Sequence, residues 1–324
     1  MSLFRSDRRI VLKISLLVFF FCIGDTQAQQ YPIKRITFVV AFAPGGIADT
    51  LARLIAHRLE TRIGQAIVVE NRPGAGGNVA AGAVSGAPPD GYTLLVTTTA
   101  LAINLTLHKN NQFTANDFKT VAIAASSPEA LLVNPNNPAQ SLADFVNSAK
   151  GRSINFGSAG VGSGSHIEAE YFFKKIANIS AVHIPFQGGA PAINALLGNQ
   201  IDVLATTLGG GAAAQINAGK LRGLGIASEK RAVIVPTVPT YVEQGFPLFQ
   251  AASWVGVFAP SKTNGEVIHK LSTAVQEVIK DAMVQEKLKV LGFDPKSPAD
   301  ADSFFKAEVK KWGEMVQALE LSIN

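Results

Sequence analysis

The feature that most constrains the fold is a repeated alternation of short apolar runs with longer segments of helical periodicity. Near the start of this pattern, apolar runs occupy residues 36–42, 66–70 and 93–97, and a helical pattern spans residues 47–62. The third apolar run follows Pro88-Pro89-Asp90-Gly91, whose prolines and glycine favour a tight turn. This alternation is typical of α/β proteins with parallel strands.

The same alternation continues through the middle of the chain. Helical patterns cover residues 141–150, 165–177 and 190–197, and apolar runs cover residues 153–157, 181–186, 201–206 and 221–227. Two further runs, 120–125 and 130–134, flank Ser127-Pro128 and lead into the loop 134–138, which we expect to be a crossover between domains. A second parallel sheet is therefore predicted. The run 254–258 follows the proline-rich segment 236–239 and is expected to return to the first sheet.

Two helices are predicted to end the chain. The first opens at Thr263, with Glu266 three residues later in a capping-box pattern, and stops at Gly292. The second begins at Ser297-Pro298, with Asp300 in its first turn. Their apolar positions recur at helical spacing, which indicates packing against the core.

The first 28 residues have the composition of a secretory signal peptide. Basic residues precede an apolar run over residues 14–23, and Thr26-Gln27-Ala28 supplies small residues before a cut. The run is about half the roughly 20 residues that a spanning helix needs, which disfavours a membrane anchor. Lipidation at Cys22 is disfavoured because phenylalanines precede it. We therefore expect a mature chain that begins near Gln29 and contains no thiol.

Composition and charge exclude several classes of protein. With 47% hydrophobic and 16% charged residues, the chain is an ordinary globular protein rather than a disordered one. The net charge of +5 is scattered, and Lys287, Lys289, Lys310 and Lys311 lie among acidic residues on the predicted terminal helices. Binding to nucleic acid requires a concentrated basic stripe, so no nucleic-acid partner is expected.

Cofactor and metal signals are weak. Gly160-Val-Gly162-Ser-Gly164 has the wrong spacing for a dinucleotide fingerprint, and no acidic residue ends the following strand. His166 and Glu170 stand four residues apart and could ligate a metal together with His183, but two ligands at helical spacing are common by chance. A helix cap or a buried hydrogen bond is the ordinary alternative for such residues. We expect neither a cofactor nor a metal.

Four junctions between a strand and the following helix carry the chemistry of the chain. They are Ala43-Pro44-Gly45-Gly46, Thr97-Thr98-Thr99-Ala100, the segment from Gly157 to His166, and Gln187-Gly188-Gly189-Ala190-Pro191. In parallel sheets such junctions lie at the carboxyl ends of the strands, where ligands bind. Glycines let a ligand approach the backbone, and helix amino termini attract anions. None of the four segments contains Lys or Arg, so the sequence predicts a cleft that holds an anion with amides and hydroxyls.

Two alternatives stay open at these junctions. Asp49 either matches the dipole of the helix that follows Gly46 or contacts an amine or water of the ligand. A hydrolase or isomerase that uses His166 and a nearby serine is the competing function. It is disfavoured because the chain has no Gly-x-Ser-x-Gly turn and no metalloprotease motif, although Gly162-Ser163-Gly164 is superficially similar.

Together these residues resemble a known family, the periplasmic substrate-binding receptors of tripartite tricarboxylate transporters, which are called Bug receptors in Bordetella-type bacteria. The resemblance covers nearly the whole mature chain and rests on Tyr31-Pro32, Phe42 to Gly46 with Asp49 and Ala52-Arg53, Glu70 to Gly77, Pro89 to Leu94, Gly157 to Gly160 with His166, Gly188 to Ala192, Pro236 to Thr240, and Trp254 to Pro260. Departures are small: Arg35 and Ala41 stand where proline is usual, Phe186-Gln187 replaces Tyr-Lys, and Ser261-Lys262 replaces Ala-Gly. Gln187 leaves one rim position of the cleft uncharged.

The resemblance implies an α/β, two-domain periplasmic-binding-protein fold, in which each domain is a mostly parallel sheet flanked by helices and the ligand lies in the cleft between domains. The domains would be residues 29–129 plus 249–324, and residues 130–248. The implied binding residues are Pro44, Gly45, Gly46, Ile47, Asp49, Thr97, Thr98, Thr99, Ala100, Ser158, Ala159, Gly160, Ser163, His166, Gln187, Gly188 and Asp202.

The resemblance also implies a function and partners. The chain would be a periplasmic, non-catalytic monomer that captures a small carboxylate and presents it to the two membrane subunits of a tripartite transporter. A scavenger or sensor receptor with no dedicated transporter would use the same fold. The sequence leaves the identity of the carboxylate open.

Overall fold

The computed structural model describes residues 31–247 and 251–323, so the predicted signal segment 1–28 lies outside the described residues. Residues from Lys34 onward form a compact unit. Its strands are β1 (Ile36–Val40), β2 (Ile67–Asn71), β3 (Thr93–Thr98), β4 (Phe118–Val133), β5 (Ser153–Ser158), β6 (Ser180–Pro185), β7 (Val203–Thr207), β8 (Arg222–Ile226), β9 (Ala252–Pro260) and β10 (Asp294–Pro295).

The strands form a mixed sheet in the order β2-β1-β3-β9-β4-β7-β5-β6, with β8 and β10 also paired to β4. The pairs β1–β2, β1–β3, β5–β6 and β5–β7 are parallel, as the alternation of strands and helices predicted. Strand β9 runs antiparallel between β3 and β4, so the predicted return of residues 254–258 to the first set of strands is confirmed.

Strand β4 connects the two sets of parallel strands. The part before Glu129 pairs with β9, ending at the register pair Pro128 and Ala252, and the part from Glu129 to Val133 pairs with β7 and β8. Proline has no N–H for a strand ladder, which suits the position where the strand changes partner. The chain therefore crosses inside β4, and the prediction of a crossover in the loop 134–138 is wrong.

Helices flank the sheet. They are α1 (Ile47–Ile63), α2 (Asn78–Ser85), α3 (Ala100–Leu107), α4 (Leu142–Ala149), α5 (Gly164–Tyr171, continued by a π-turn over Phe172–Ile176), α6 (Gly189–Leu197), α7 (Ala212–Asn217), α8 (Gly265–Lys280), α9 (Ala282–Val290) and α10 (Ala301–Ala318). Helix α8 packs on α1 and β4, and α10 packs on α3 and β4. The chain segment after β9 thus covers the first set of strands.

The predicted first terminal helix is two helices. Asp281 breaks it, because its carboxylate accepts hydrogen bonds from the backbone N–H groups of Met283 and Val284 and so caps α9. The amino-terminal cap of α8 is Asn264 rather than Thr263, with Asn264 Oδ1 accepting from the N–H of Glu266 at 2.7 Å. Asp300 caps α10 in the same way, one residue before the helix begins.

The largest buried side chains join the last helix to the sheet. Trp254 of β9 and Trp312 of α10 both donate an indole N–H to Glu308 Oε2, at 2.8 and 2.9 Å. Both rings are buried, and Trp254 also packs edge-on against Phe305. Within the described part of the chain, no helix is both long and apolar enough to span a membrane.

Candidate functional site

A cleft lies where the carboxyl ends of the parallel strands meet, between loops contributed by the two sets of strands. The space between its walls is about 440 Å³, part of which is open to solvent. Its lining residues are Phe42, Gly46, Ile47, Thr98, Glu129, Ala159, Ser163, Gly164, Ser165, Gly189, Thr206, Thr207, Gly209, Gly210 and Ser253. None of these described lining residues is Lys or Arg, as the sequence of the junctions predicted.

Several helices begin at this cleft without a side chain over their first amides. The caps of α1 and α6 are Gly46 and Gly188, and neither helix has a side-chain hydrogen bond at its cap. Helix α3 differs, because the N–H of its first residue, Ala100, donates to Thr98 Oγ1 at 3.2 Å, while the Thr99 hydroxyl bonds to Ser253. The first N–H groups of a helix have no acceptor within the helix and carry a partial positive charge. The cleft therefore offers donors suited to an anion.

The loops of the two sets of strands touch across the cleft. The N–H of Ala43 donates to the carbonyl of Gln187 at 3.0 Å. A side chain added at Gly45 would come within 3.4 Å of Ala190 Cβ, and one added at Gly210 within 2.7 Å of the backbone nitrogen of Ile47. The loops are thus in direct contact across the cleft. At Gly210 only glycine leaves room for this contact, and at Gly45 the φ of 83° favours glycine.

Asp49 holds the loop between β1 and α1 in place. Its carboxylate accepts hydrogen bonds from the N–H of Gly45 and from Asn71 Nδ2, both at 2.9 Å, and from Arg53 Nε at 3.0 Å. Burial alone would raise the pKa of Asp49, but these hydrogen bonds outweigh it and hold the pKa below its ordinary value. With both oxygens occupied inside the protein, Asp49 acts as a positioning residue behind the cleft.

The loop between β5 and α5 is held by hydroxyl groups. Ser163 caps α5 by accepting from the N–H of His166 at 3.2 Å, and its hydroxyl donates to the carbonyl of Gly160 at 2.7 Å. The N–H of Ala159 donates to Ser165 Oγ at 3.2 Å. Gly160 has a φ of 125°, a backbone conformation that favours glycine. These bonds place Ala159, Ser163 and Ser165 on the wall of the cleft.

Comparison with known proteins agrees with this geometry. A family profile described as tripartite tricarboxylate transporter family receptor matches residues 51–321. The chain belongs to this receptor family. The resemblance seen in the sequence is thereby confirmed.

Solved structures show the same relationship. The chain is similar to the periplasmic binding protein BugD (29% identity, TM-score 0.85, covering 90% of this chain and 99% of that chain), to R. palustris Rpa4515 with adipate (31%, 0.86, 90% and 99%), and to MatC (Rpa3494) from Rhodopseudomonas palustris with bound malate (31%, 0.82, 88% and 100%). The α/β fold of this receptor is therefore that of the periplasmic binding proteins, with a mixed sheet flanked by helices.

The histidine that the sequence singled out lies behind the receptor's cleft. His166 Nδ1 accepts from the N–H of Gly162 at 3.2 Å, and its ring stacks on that of His183 with centroids 4.0 Å apart. Burial, followed by the charges of His183 and Lys174, lowers the pKa of His166 to about 3. His166 is therefore neutral, and its Nε2, 3.9 Å from Glu170, forms neither an ion pair nor a hydrogen bond with that carboxylate.

The serine and histidine in direct contact are a different pair from the one the sequence suggested. Ser158 Oγ lies 2.6 Å from His183 Nε2, and Ser158 Oγ also accepts from the N–H of Gly160 at 3.1 Å. Ser158 is fully buried, and burial lowers the pKa of His183 to about 4. A triad needs an exposed nucleophile and a base oriented by a third group. Within the described residues this pair has the surroundings of a structural contact.

The predicted binding residues other than Asp202 fall into three sets. Those that line the cleft are Gly46, Ile47, Thr98, Ala159 and Ser163. Those at its rim are Pro44, Gly45, Gly160, Gln187 and Gly188. Those that support its loops from behind are Asp49, Thr97, Thr99, Ala100, Ser158 and His166. Asp202 belongs to none of these sets.

Asp202 lies at the opposite end of its strand. It precedes the first residue of β7, and its carboxylate accepts from the N–H of Asn155 at 2.7 Å. The lining residues Thr206 and Thr207 are at the other end of the same strand. The structure therefore does not bring Asp202, which the resemblance implied as a binding residue, to the cleft. In the described residues, no group of three or more His, Cys, Asp or Glu side chains is arranged to hold a metal.

Sequence reasoning missed two parts of the site. The first is a fifth junction, Gly209-Gly210-Gly211, which follows β7 and precedes α7 just as the other glycine loops follow their strands. The second is Glu129 with Ser253, on the two strands that run between the sets. The sequence signal for Glu129 is a lone acidic residue between Ser127-Pro128 and the apolar run 130–134.

The buried acids and histidines predict how stability depends on pH. Burial raises the pKa of Glu129 from 4.5 to about 8 and that of Glu168 to about 7, whereas His166 and His183 titrate below their ordinary value of 6.5. The two glutamates, whose pKa values are raised, stabilise the fold at low pH. This stabilisation is lost as the pH rises from 4.5 to about 8. His166 and His183, whose pKa values are lowered, stabilise the fold fully above pH 6.5. This stabilisation is lost as the pH falls below 6.5.

We expect the free energy of unfolding to be nearly flat between about pH 5 and 6.5 and to fall by about 2 kcal/mol between pH 6.5 and 9. Denaturant titrations across this range measure it. In the double variant Glu129→Gln with Glu168→Gln, the free energy of unfolding should no longer fall between pH 6.5 and 9. Stability that holds constant or rises to pH 9 in the wild type would contradict the assignment.

Proposed function

We propose that this receptor captures a small organic carboxylate in the periplasm by closing two domains around it. The observation that carries the proposal is the convergence of helix amino termini on one cleft from both sets of strands. The first amides of α1 in one set and of α6 in the other lack side-chain caps, and the described lining contains no Lys or Arg. Each terminus alone is a weak anion site, so high affinity requires both sets of loops together.

The domains that we propose to move are residues 29–129 with 249–324, and residues 130–248. The polypeptide passes between them at Glu129 in β4 and near Ala251 before β9, where the N–H of Glu129 donates to the carbonyl of Ala251 at 3.0 Å. Two adjacent backbone segments of this kind allow hinge closure, as in other binding proteins.

Two related structures support a carboxylate as the ligand. Rpa4515 is described with adipate and MatC with malate, and both align with this chain over nearly their full lengths. Membership of the receptor family supports delivery to the two membrane subunits of a tripartite transporter. A scavenger or sensor role uses the same fold. Recovery of transporter subunits with the loaded receptor from solubilised membranes separates the two roles.

We expect at least one small acid to stabilise the mature chain in a dose-dependent manner and to be recovered unchanged. At 100 times its dissociation constant the ligand adds about 2.7 kcal/mol, which raises the melting temperature by roughly 5 °C. The test is a thermal-shift panel of C3 to C8 mono- and dicarboxylates, acidic amino acids and aromatic acids, followed by mass spectrometry of the bound compound.

Two outcomes would count against the proposal. If neutral sugars or nucleotides stabilise the protein and no acid does, the ligand class is wrong. If a hit is recovered chemically altered, the protein is an enzyme, and the contact between Ser158 and His183 becomes the first candidate for catalysis. Recovery of intact ligand supports a receptor without catalytic activity.

A further inference from the structure

Among the described residues that line the cleft, only Glu129 has an ionisable side chain. It lies where β4 changes partners, with its N–H bonded to Ala251 and its carbonyl accepting from the N–H of Ala227 at 2.9 Å. Its register partner on β7 is Thr207, which also lines the cleft. The carboxyl group therefore stands at the floor of the cleft, on the strand shared by both sets of loops.

Only one oxygen of this carboxyl has a partner. Oε1 accepts from Ser253 Oγ at 2.6 Å, and the Ser253 hydroxyl lies 3.1 Å from that of Thr99. Oε2 is buried and has no hydrogen-bond partner among the described residues. An unsatisfied buried polar atom is costly, and the great majority of such atoms in proteins are paired. Because Glu129 lines the cleft, the ligand is the natural partner for Oε2.

This inference rests on the proposed function. We propose that Glu129 Oε2 carries a proton and donates a hydrogen bond to an oxygen atom of the bound acid, so that binding weakens when Glu129 ionises. Glu129 is then the residue that couples binding of the anion to protonation of the receptor. The ligands it favours present an oxygen at the floor of the cleft rather than an ammonium group.

The surroundings of Glu129 keep it neutral. Complete burial raises its pKa to about 8, and the nearby Glu168 adds to the rise, while the hydrogen bond from Ser253 opposes it. Burial also raises the pKa of Glu168 to about 7, so Glu168 is neutral below that pH and ionised above it, and its Oε1 accepts from Tyr241 Oη at 2.8 Å. A carboxylic acid held neutral in an apolar site can donate a hydrogen bond to an oxyanion.

The other groups around Glu129 do not supply a compensating positive charge. On α5, which begins at the cleft, His166 is neutral and bonds to the N–H of Gly162. Ser253 on β9, Thr99 before α3 and Thr207 on β7 are uncharged. An anionic ligand adds a further negative charge beside Glu129, which raises its pKa again and draws a proton to the complex.

Isothermal titration over pH 6.5 to 9 tests the proposal, with adipate, malate and the acid that stabilises the protein most in the panel as probes. The wild type should bind about tenfold more weakly at pH 9 than at pH 6.5, given a pKa of about 8. At pH 8 it should take up about half a proton on binding, measured from the heats in buffers of different ionisation enthalpy.

Two variants complete the design. Glu129→Gln, which presents a donor at every pH, should lose the dependence on pH, so that its affinity at pH 9 equals its affinity at pH 6.5. Glu168→Gln is the matched control, because it removes the neighbouring carboxyl and leaves Glu129. Glu168→Gln should still bind more weakly as the pH rises, but the midpoint of this loss of affinity should lie at a lower pH than in the wild type.

The outcomes separate this inference from the proposed function. Binding with the same affinity from pH 6.5 to 9 and no proton uptake overturns the role of Glu129 and leaves the receptor function standing. A loss of tenfold or more in Glu129→Gln at pH 6.5, or proton release on binding, shows that Glu129 is ionised and accepts from the ligand, which also overturns it. If no acid binds at any pH, the proposed function fails and this inference fails with it.

Discussion

Replacing Gly46 with valine is expected to weaken carboxylate binding by 100-fold or more, which corresponds to about 2.7 kcal/mol. Gly46 caps α1 and has a φ of −78°, which any residue adopts, so the backbone tolerates the change. Its added Cβ would lie 3.8 Å from the backbone nitrogen of Gly189 across the cleft. The valine methyl groups would extend from there into the space between the starts of α1 and α6, where the anion must approach.

Titration calorimetry with an acid that binds the wild type measures this effect, and thermal melts show whether the variant folds. Gly265→Val is the matched control, since Gly265 begins α8, is exposed and has no atom within 4 Å of an added Cβ. It should bind as the wild type does. Wild-type affinity in Gly46→Val would show that the ligand site has been misplaced.

Gly160 is a less informative position for such a substitution than Gly46. Its φ is 125°, and an added Cβ would lie 2.7 Å from the carbonyl oxygen of Phe186. A valine there strains the backbone and displaces a neighbouring strand end, so stability is expected to fall together with affinity. In Gly46→Val, by contrast, stability is expected to fall less than affinity.

Replacing Asp49 with alanine is expected to lower the free energy of unfolding by about 3 kcal/mol. The variant leaves the N–H of Gly45 and the amide of Asn71 without their acceptor and removes the partner of Arg53. For a chain of this size the melting temperature should fall by roughly 6 °C or more. Because the loop at Gly45 is no longer held, ligand affinity should fall as well.

Chemical denaturation of the variant distinguishes this role from a simple helix-dipole effect, which is worth about 0.3–1 kcal/mol. Glu266→Ala is the control, because Glu266 is an exposed acid in the first turn of α8. The free energy of unfolding of Glu266→Ala should fall by less than about 1 kcal/mol. If Asp49→Ala lowers the free energy of unfolding by no more than Glu266→Ala does, the hydrogen bonds around Asp49 contribute little to the stability of the loop.

Local patterns were sufficient for most strands and for four of the loops that follow them, although the two apolar runs 120–125 and 130–134 are one strand, β4. Strand β1 and helix α1 lie within a few residues of their predicted bounds, because the periodicity of apolar residues reflects which face of each element is buried. Helix ends were less well predicted. Asp281 divides a continuous apolar pattern by capping α9 with its carboxylate, a competition for backbone N–H groups that periodicity does not register.

Roles that depend on distant partners could not be predicted. His166 was considered as a ligand contact or a base, and its ring lies instead between the N–H of Gly162 and the ring of His183. Asp202 was expected at the cleft, but its end of β7 lies away from the edge where the loops meet. In both cases the residue type indicated a polar role, but the packing of the chain decided where the side chain lies.

The sequence by itself determined the alternation of strands and helices, the family, the four glycine and hydroxyl junctions, and the lack of Lys and Arg within them. These are local properties, set by backbone freedom at glycine and by the periodicity of apolar side chains. Only the tertiary structure decided that β4 runs through both sets of strands and buries Glu129 at the floor of the cleft. A carboxyl group gains or loses its charge according to burial and to neighbours from β9 and α5, which are distant in the chain, so no local pattern records it.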